Sequence, residues 1–171
     1  MRRNITLVDN GQHAKSGSDS RLAKRMQFNL DSTRESYTIR AYSPGRVSVN
    51  LPVYRIQQQA AAVDPNLPAQ SRITQVTVTR SAVVSAHRLI EDWAPQAFDE
   101  LRAEHFDELA AFNPEIVLIG CGERLRWPDP ALINRLQRQG IGVEVMDTGA
   151  ACRTFNILIA EQRNVVAALL L

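Results

Sequence analysis

At 171 residues, with 44% hydrophobic and 22% charged composition, the chain is long enough for one ordinary core and short for two, so a single soluble domain is expected. The net charge of +2 is small, and Arg2, Arg3, Lys15, Arg21, Lys24 and Arg25 all fall in residues 1 to 25 beside only Asp9 and Asp19, which leaves the body slightly acidic. Without a basic stripe or a reading helix on that body no nucleic acid partner is expected, without an apolar run of about 18 residues no transmembrane segment is expected, and Cys121 and Cys152 lack the spacing of a disulfide framework or a zinc set.

Residues 1 to 25 are polar and rich in Ser, Lys and Arg, and read as a disordered basic tail. They lack the apolar stretch of a secretory signal, and Asp9 and Asp19 count against a transit peptide, so a cytoplasmic location is expected. The domain begins at Met26. Met26 to Leu30, Tyr37 to Tyr42 and Val47 to Val49 alternate apolar and polar residues around the turn Ser43-Pro44-Gly45, the pattern of antiparallel hairpins. Alternation resumes at Ile73, Val76 and Val78. Between them, Gln57-Gln58-Gln59-Ala60-Ala61-Ala62 and Asp64-Pro65-Asn66-Leu67-Pro68 mark residues 55 to 71 as a surface insertion, which costs little extra closure entropy.

After Trp93 the period changes. Leu101, Phe106, Leu109 and Ala110 suit a helix that closes before Asn113-Pro114, and Glu115 to Gly120 then reads as a strand buried on both faces. A second helix is framed by Asp129 as cap, Pro130 in its first turn and Gly140 at its end, with Leu132, Ile133 and Leu136 on one face. Gly142 to Met146 follows as a parallel strand, and a last helix over Ala150 to Gln162 buries Ala151, Phe155, Leu158 and Ile159. Val165 to Leu171 closes a βαβαβ half as an apolar strand.

Parallel strands bring Gly120-Cys121-Gly122 and Asp147-Thr148-Gly149 to the same edge, where open α/β sheets bind ligands. Free amides at the start of the Ala150 helix and the forked donors of Arg153 suit a small anion there. The competing reading makes the glycines tight turns, Asp147 or Thr148 a helix cap, and Arg153 a structural partner. A dinucleotide site fails because Leu125 stands where a third glycine is needed and the helix begins only near Asp129. Cys152, in the first turn of a helix whose dipole favours a thiolate, is the better-placed nucleophile. However, His13, His87 and His105 supply no base and no metal-ligand spacing, so neither a metal nor a cofactor is expected. Trp127 and Pro128 read as core cover.

The run Pro114-Glu115-Ile116-Val117-Leu118-Ile119-Gly120-Cys121-Gly122, followed by Gly140 to Asn156 with Met146-Asp147-Thr148-Gly149-Ala150-Ala151-Cys152-Arg153-Thr154, resembles a domain-of-unknown-function family. That family includes the mitochondrial respiratory complex I assembly factor 3 and many small uncharacterised bacterial and archaeal proteins. The resemblance implies a three-layer α/β/α domain with a mixed central sheet, a strand-rich N-terminal half, and a solvent-facing pocket beside the Asp147 to Asn156 string. The candidate pocket thus comprises Gly120, Cys121, Gly122, Asp147, Thr148, Cys152, Arg153 and Asn156. It also implies no established enzymatic activity and a protein partner, such as a membrane complex under assembly. A mitochondrial location, or a peripheral one at the inner membrane, is the alternative to the cytoplasm. The 55 to 71 insertion and the tail before Met26 depart from the family pattern at variable surface, where partners are chosen.

Overall fold

A computed structural model describes residues 33–63 and 74–171; residues 1 to 25, the strand expected at Met26 to Leu30, residues 64 to 71 of the expected insertion and Ile73 lie outside them. In chain order the strands are β1 (Thr38–Ser43), β2 (Arg46–Asn50), β3 (Gln75–Val78), β4 (Ala82–Ser85), β5 (Leu89–Ile90), β6 (Ile116–Cys121), β7 (Gly142–Met146) and β8 (Val165–Leu170). The helices are α1 (Val53–Val63), α2 (Ala103–Ala110), α3 (Pro130–Gln137) and α4 (Thr148–Ala160).

The fold is α/β with a mixed central sheet. Its five strands run in the order β5-β4-β8-β6-β7, with β6 parallel to both β7 and β8 and β4 antiparallel to β8. The apolar runs of β6 and β8 belong to central strands covered on both faces, and β8 is buried along its whole length. On one face α2 and α3 contribute Phe106, Leu109 and Leu136 to a core with Val117, Ile119 and Val166. On the other face α4 contributes Ala151, Phe155 and Ile159 against Leu118, Ala167 and Leu169.

The N-terminal hairpin strands form a separate antiparallel sheet, β1-β2-β3, whose Ile39, Val47, Val49 and Val78 join the α4 side of the core. Helix α4 therefore has apolar neighbours on both sides, and fully buried Phe155 links them; truncating such a ring costs about 3–5 kcal/mol. The Gln- and Ala-rich stretch read as insertion is the body of α1 up to Val63. Gln and Ala are good helix formers, the Pro52 carbonyl accepts from Arg55 and Ile56 at its start, and Ile56 packs on the core while the glutamines stay exposed.

The C-terminal half matches the βαβαβ pattern closely. Asp129 caps α3 by accepting from Ala131 N–H at 2.8 Å, with Pro130 in the first turn. The last helix starts two residues earlier than its apolar period indicates, because Asp147 is its N-cap.

Candidate functional site

The chain leaves β6 toward the α2/α3 face and leaves β7 toward the α4 face, an arrangement that ordinarily opens a crevice between the strand ends. Here Thr148 fills it. Its side chain has 0% exposure, its N–H donates to the Gly122 carbonyl at 2.8 Å, and its hydroxyl accepts from Gly122 N–H at 2.8 Å while donating to the Leu170 carbonyl at 2.7 Å. One threonine thus joins the ends of β6 and β8 to the first turn of α4. Gly120 permits this approach: a Cβ there would lie 3.0 Å from Thr148 Oγ1 and 3.1 Å from its Cα. Gly122 serves differently, adopting a left-handed φ of 93° that a side chain would strain.

Asp147 accepts from Ala150 N–H at 2.7 Å as helix cap. The two cysteines lie in the cores on opposite faces of the sheet. Cys121 donates to the Arg126 carbonyl at 3.0 Å, and burial pushes its thiol pKa up. Cys152 is pushed up to about 12 by burial, with Arg153 only partly opposing. The expectation that the helix dipole favours a Cys152 thiolate is therefore corrected: desolvation of the charged form outweighs it.

An open cleft of about 210 Å³ lies on the outer side of α4. The stripe Gly149, Cys152, Arg153 and Asn156, at positions i, i+3, i+4 and i+7, forms one wall, and β1 residues Ile39 to Tyr42 form the other. Asn156 links the walls: Oδ1 accepts from Ile39 N–H at 2.8 Å and Nδ2 donates to Ile39 C=O at 2.7 Å. The Tyr42 ring covers Gly149, within 3.2 Å of where a Cβ would stand. Burial, then Cys152, Glu123 and Asp147 nearby, raise the Tyr42 pKa, so its hydroxyl remains a donor. Arg40 and Arg153 are exposed at the rim.

The candidate residues thus divide. Cys152, Arg153 and Asn156 meet at the cleft beside Gly149, whereas Gly120, Gly122 and Thr148 build a closed junction, Asp147 caps α4 and Cys121 faces the other core. Sequence reasoning missed Arg40 and Tyr42 as cleft residues. The helical stripe running through Gly149 was the available signal that something packs closely there.

A second surface feature follows β6. Leu125 and Trp127 are 53% and 68% exposed, which corrects the expectation that Trp127 covers the core; Pro128 beside it is buried. The loop is held through Arg126 instead. Its carbonyl takes the Cys121 thiol, its guanidinium lies 4.3 Å from the centre of the Phe98 ring, and it pairs with Asp99 at 2.6 Å. Two apolar side chains therefore flank an anchored residue and face solvent.

Larger open depressions of about 520 and 330 Å³ exist. The former lies at the amino end of the parallel strands and includes Arg163, which pairs with Glu115 at 2.7 Å. Among the described residues no His, Cys, Asp and Glu group could hold a metal ion, and no helix is long and apolar enough to cross a membrane.

Fold and site together define a small α/β domain with a mixed sheet, a filled strand-end junction and an open side cleft. The chain belongs to the family described as "Protein of unknown function (DUF498/DUF598)", whose model matches residues 67–170. A Bordetella parapertussis protein of known crystal structure is similar at 30% identity with a TM-score of 0.59, over 79% of this chain and 95% of that one. The NADH dehydrogenase (ubiquinone) 1 alpha subcomplex assembly factor 3 of Xenopus tropicalis is 33% identical over 85 residues, 48% of this chain and 46% of that protein. A Francisella tularensis protein named "13 kDa major membrane protein" is 42% identical over 65 residues, 38% of this chain and 53% of that protein. The chain spans about half the length of these two curated relatives.

Proposed function

We propose that this protein is a non-enzymatic assembly or interaction factor that binds another protein, working at a membrane complex under assembly without itself spanning the bilayer. The observation that carries this reading is the anchored loop presenting Leu125 and Trp127 to solvent. A large aromatic on a pre-ordered support loses little entropy on binding and suits the centre of an interface. The relatives named as assembly factors support the same role.

The test is capture from native cells, in membrane and soluble fractions, with wild type and Trp127→Glu. A multi-subunit complex recovered by wild type and lost with the folded variant supports the reading. Equal recovery by both, or recovery of no partner from either fraction, overturns it. Loss of a Trp anchor of this kind costs about 2 kcal/mol or more, roughly thirtyfold in Kd.

A second reading, binding of a small anionic ligand, is favoured by one observation: Arg40 and Arg153 rim the cleft without an ion-pair partner among the described residues.

A further inference from the structure

Resting on that second reading, we propose that the cleft between β1 and α4 holds a compact, multiply charged oxyanion, a phosphate or a short dicarboxylate, clamped by Arg40 from one wall and Arg153 from the other.

Four surface arginines are matched to carboxylates: Arg80 to Asp92 at 2.8 Å, Arg126 to Asp99 at 2.6 Å, Arg135 to Asp107 at 2.5 Å and Arg163 to Glu115 at 2.7 Å. Among the described residues Arg40 and Arg153 have no such match, as is also true of Arg46, Arg124 and Arg138, but only these two line opposite walls of one cleft. The register of β1 against β2 shifts between Ile39 and Ala41, so Arg40 is the extra residue of a bulge, a device that re-aims a side chain. Asn156 holds the backbone of Ile39 on both its N–H and C=O, which fixes the bulge against α4. Arg153 stands one turn along α4 from Gly149 and three residues before Asn156, on the opposite wall.

Charge decides where in the cleft the anion sits. Asp147 and Glu123 lie near Tyr42, at the end where α4 begins, and the Asp147 carboxylate is already engaged with Ala150 N–H. The anion therefore takes the end nearer Arg40, Arg153 and Asn156, away from the helix start. Among the polar groups there, guanidinium forks match the paired oxygens of carboxylate and phosphate. The cleft has room for a small oxyanion. About 210 Å³ corresponds to about seven waters at roughly 30 Å³ each, below the roughly 300–1,000 Å³ of sites that enclose drug-sized ligands. A phosphate or a four-carbon dicarboxylate fits within that space.

The experiment is an amide NMR titration of the full chain with inorganic phosphate, with succinate and with neutral dimethyl succinate, each at matched ionic strength. Saturable shifts at Arg40 to Tyr42 and Gly149 to Arg153 with phosphate or succinate are expected, and which of the two saturates identifies the source. Arg40→Ala and Arg153→Ala should each weaken binding about tenfold, and Arg153→Lys less, while the rest of the spectrum shows each variant folded. Shifts that fail to saturate, map elsewhere or persist unchanged in the double alanine variant leave an adventitious ion only and overturn the proposal. Cleft shifts with dimethyl succinate alone would mean a neutral ligand and overturn both the clamp and the small-anion reading. No cleft shift with any of the three probes would overturn both.

Discussion

Replacing Thr148 by Val tests whether the strand-end crevice is closed by hydrogen bonding. Val keeps the branched shape of a fully buried side chain and removes only the hydroxyl that accepts from Gly122 N–H and donates to the Leu170 carbonyl. A buried polar group left without its partner costs about 1–3 kcal/mol. Gly122 is half-buried and can recruit water, whereas Leu170 is buried, so the expected loss is about 2–4 kcal/mol. Thr148→Ser keeps both hydrogen bonds and loses one methyl, which costs about 1 kcal/mol. Equilibrium urea unfolding separates the two, and the Val variant should melt roughly 5–15 °C lower. If Val lies within about 0.5 kcal/mol of wild type, or Ser is as damaging as Val, the hydroxyl does not close the junction and the crevice is open to water or a ligand.

Gly120→Ala should destabilise by about 1–3 kcal/mol in the same unfolding assay, because the new methyl meets the Thr148 Cα, which is backbone, at 3.1 Å. Asn156→Ala should cost about 2–3 kcal/mol and raise hydrogen exchange in β1, since both Ile39 backbone groups lose their partner; unchanged exchange would contradict that role. The Cys152 thiol, pushed from 9.0 up to about 12, is held protonated by the fold. Its contribution to stability is therefore complete below about pH 9 and is lost as pH rises toward 12, at up to about 1.4 kcal/mol per pH unit. Cys152→Ala should flatten that alkaline slope in unfolding measured against pH, and an unchanged slope would contradict it.

The C-terminal half was legible because its signals are local. Asp129, Pro130 and Gly140 frame α3, and the apolar runs of β6 and β8 announce central strands. The Gly120 and Asp147 loops were also correctly brought to one edge by strand polarity alone. What Thr148 does there was hidden, because its hydroxyl partner Leu170 belongs to a strand 22 residues further on. The cleft was half-legible. Its α4 wall follows from helical spacing, but its β1 wall comes from 117 residues away, through Asn156 and Ile39, a pairing that no local period encodes. Cys152 misled because the apolar period started the helix too late and put the thiol in its first turn, whereas α4 begins at Thr148 and Cys152 lies buried in the second turn. Trp127 misled because loop residues carry no period, and the anchor turned out to be Arg126 beside it.

The most direct measurement is in-cell photocrosslinking from position 127, with a control probe at the exposed Gln137 on α3. One defined protein should crosslink from position 127 and not from 137, and Leu125→Glu should abolish that product. The same products from both positions, or none from position 127 in a folded protein, would contradict the assignment of the Leu125 and Trp127 loop as the interaction surface.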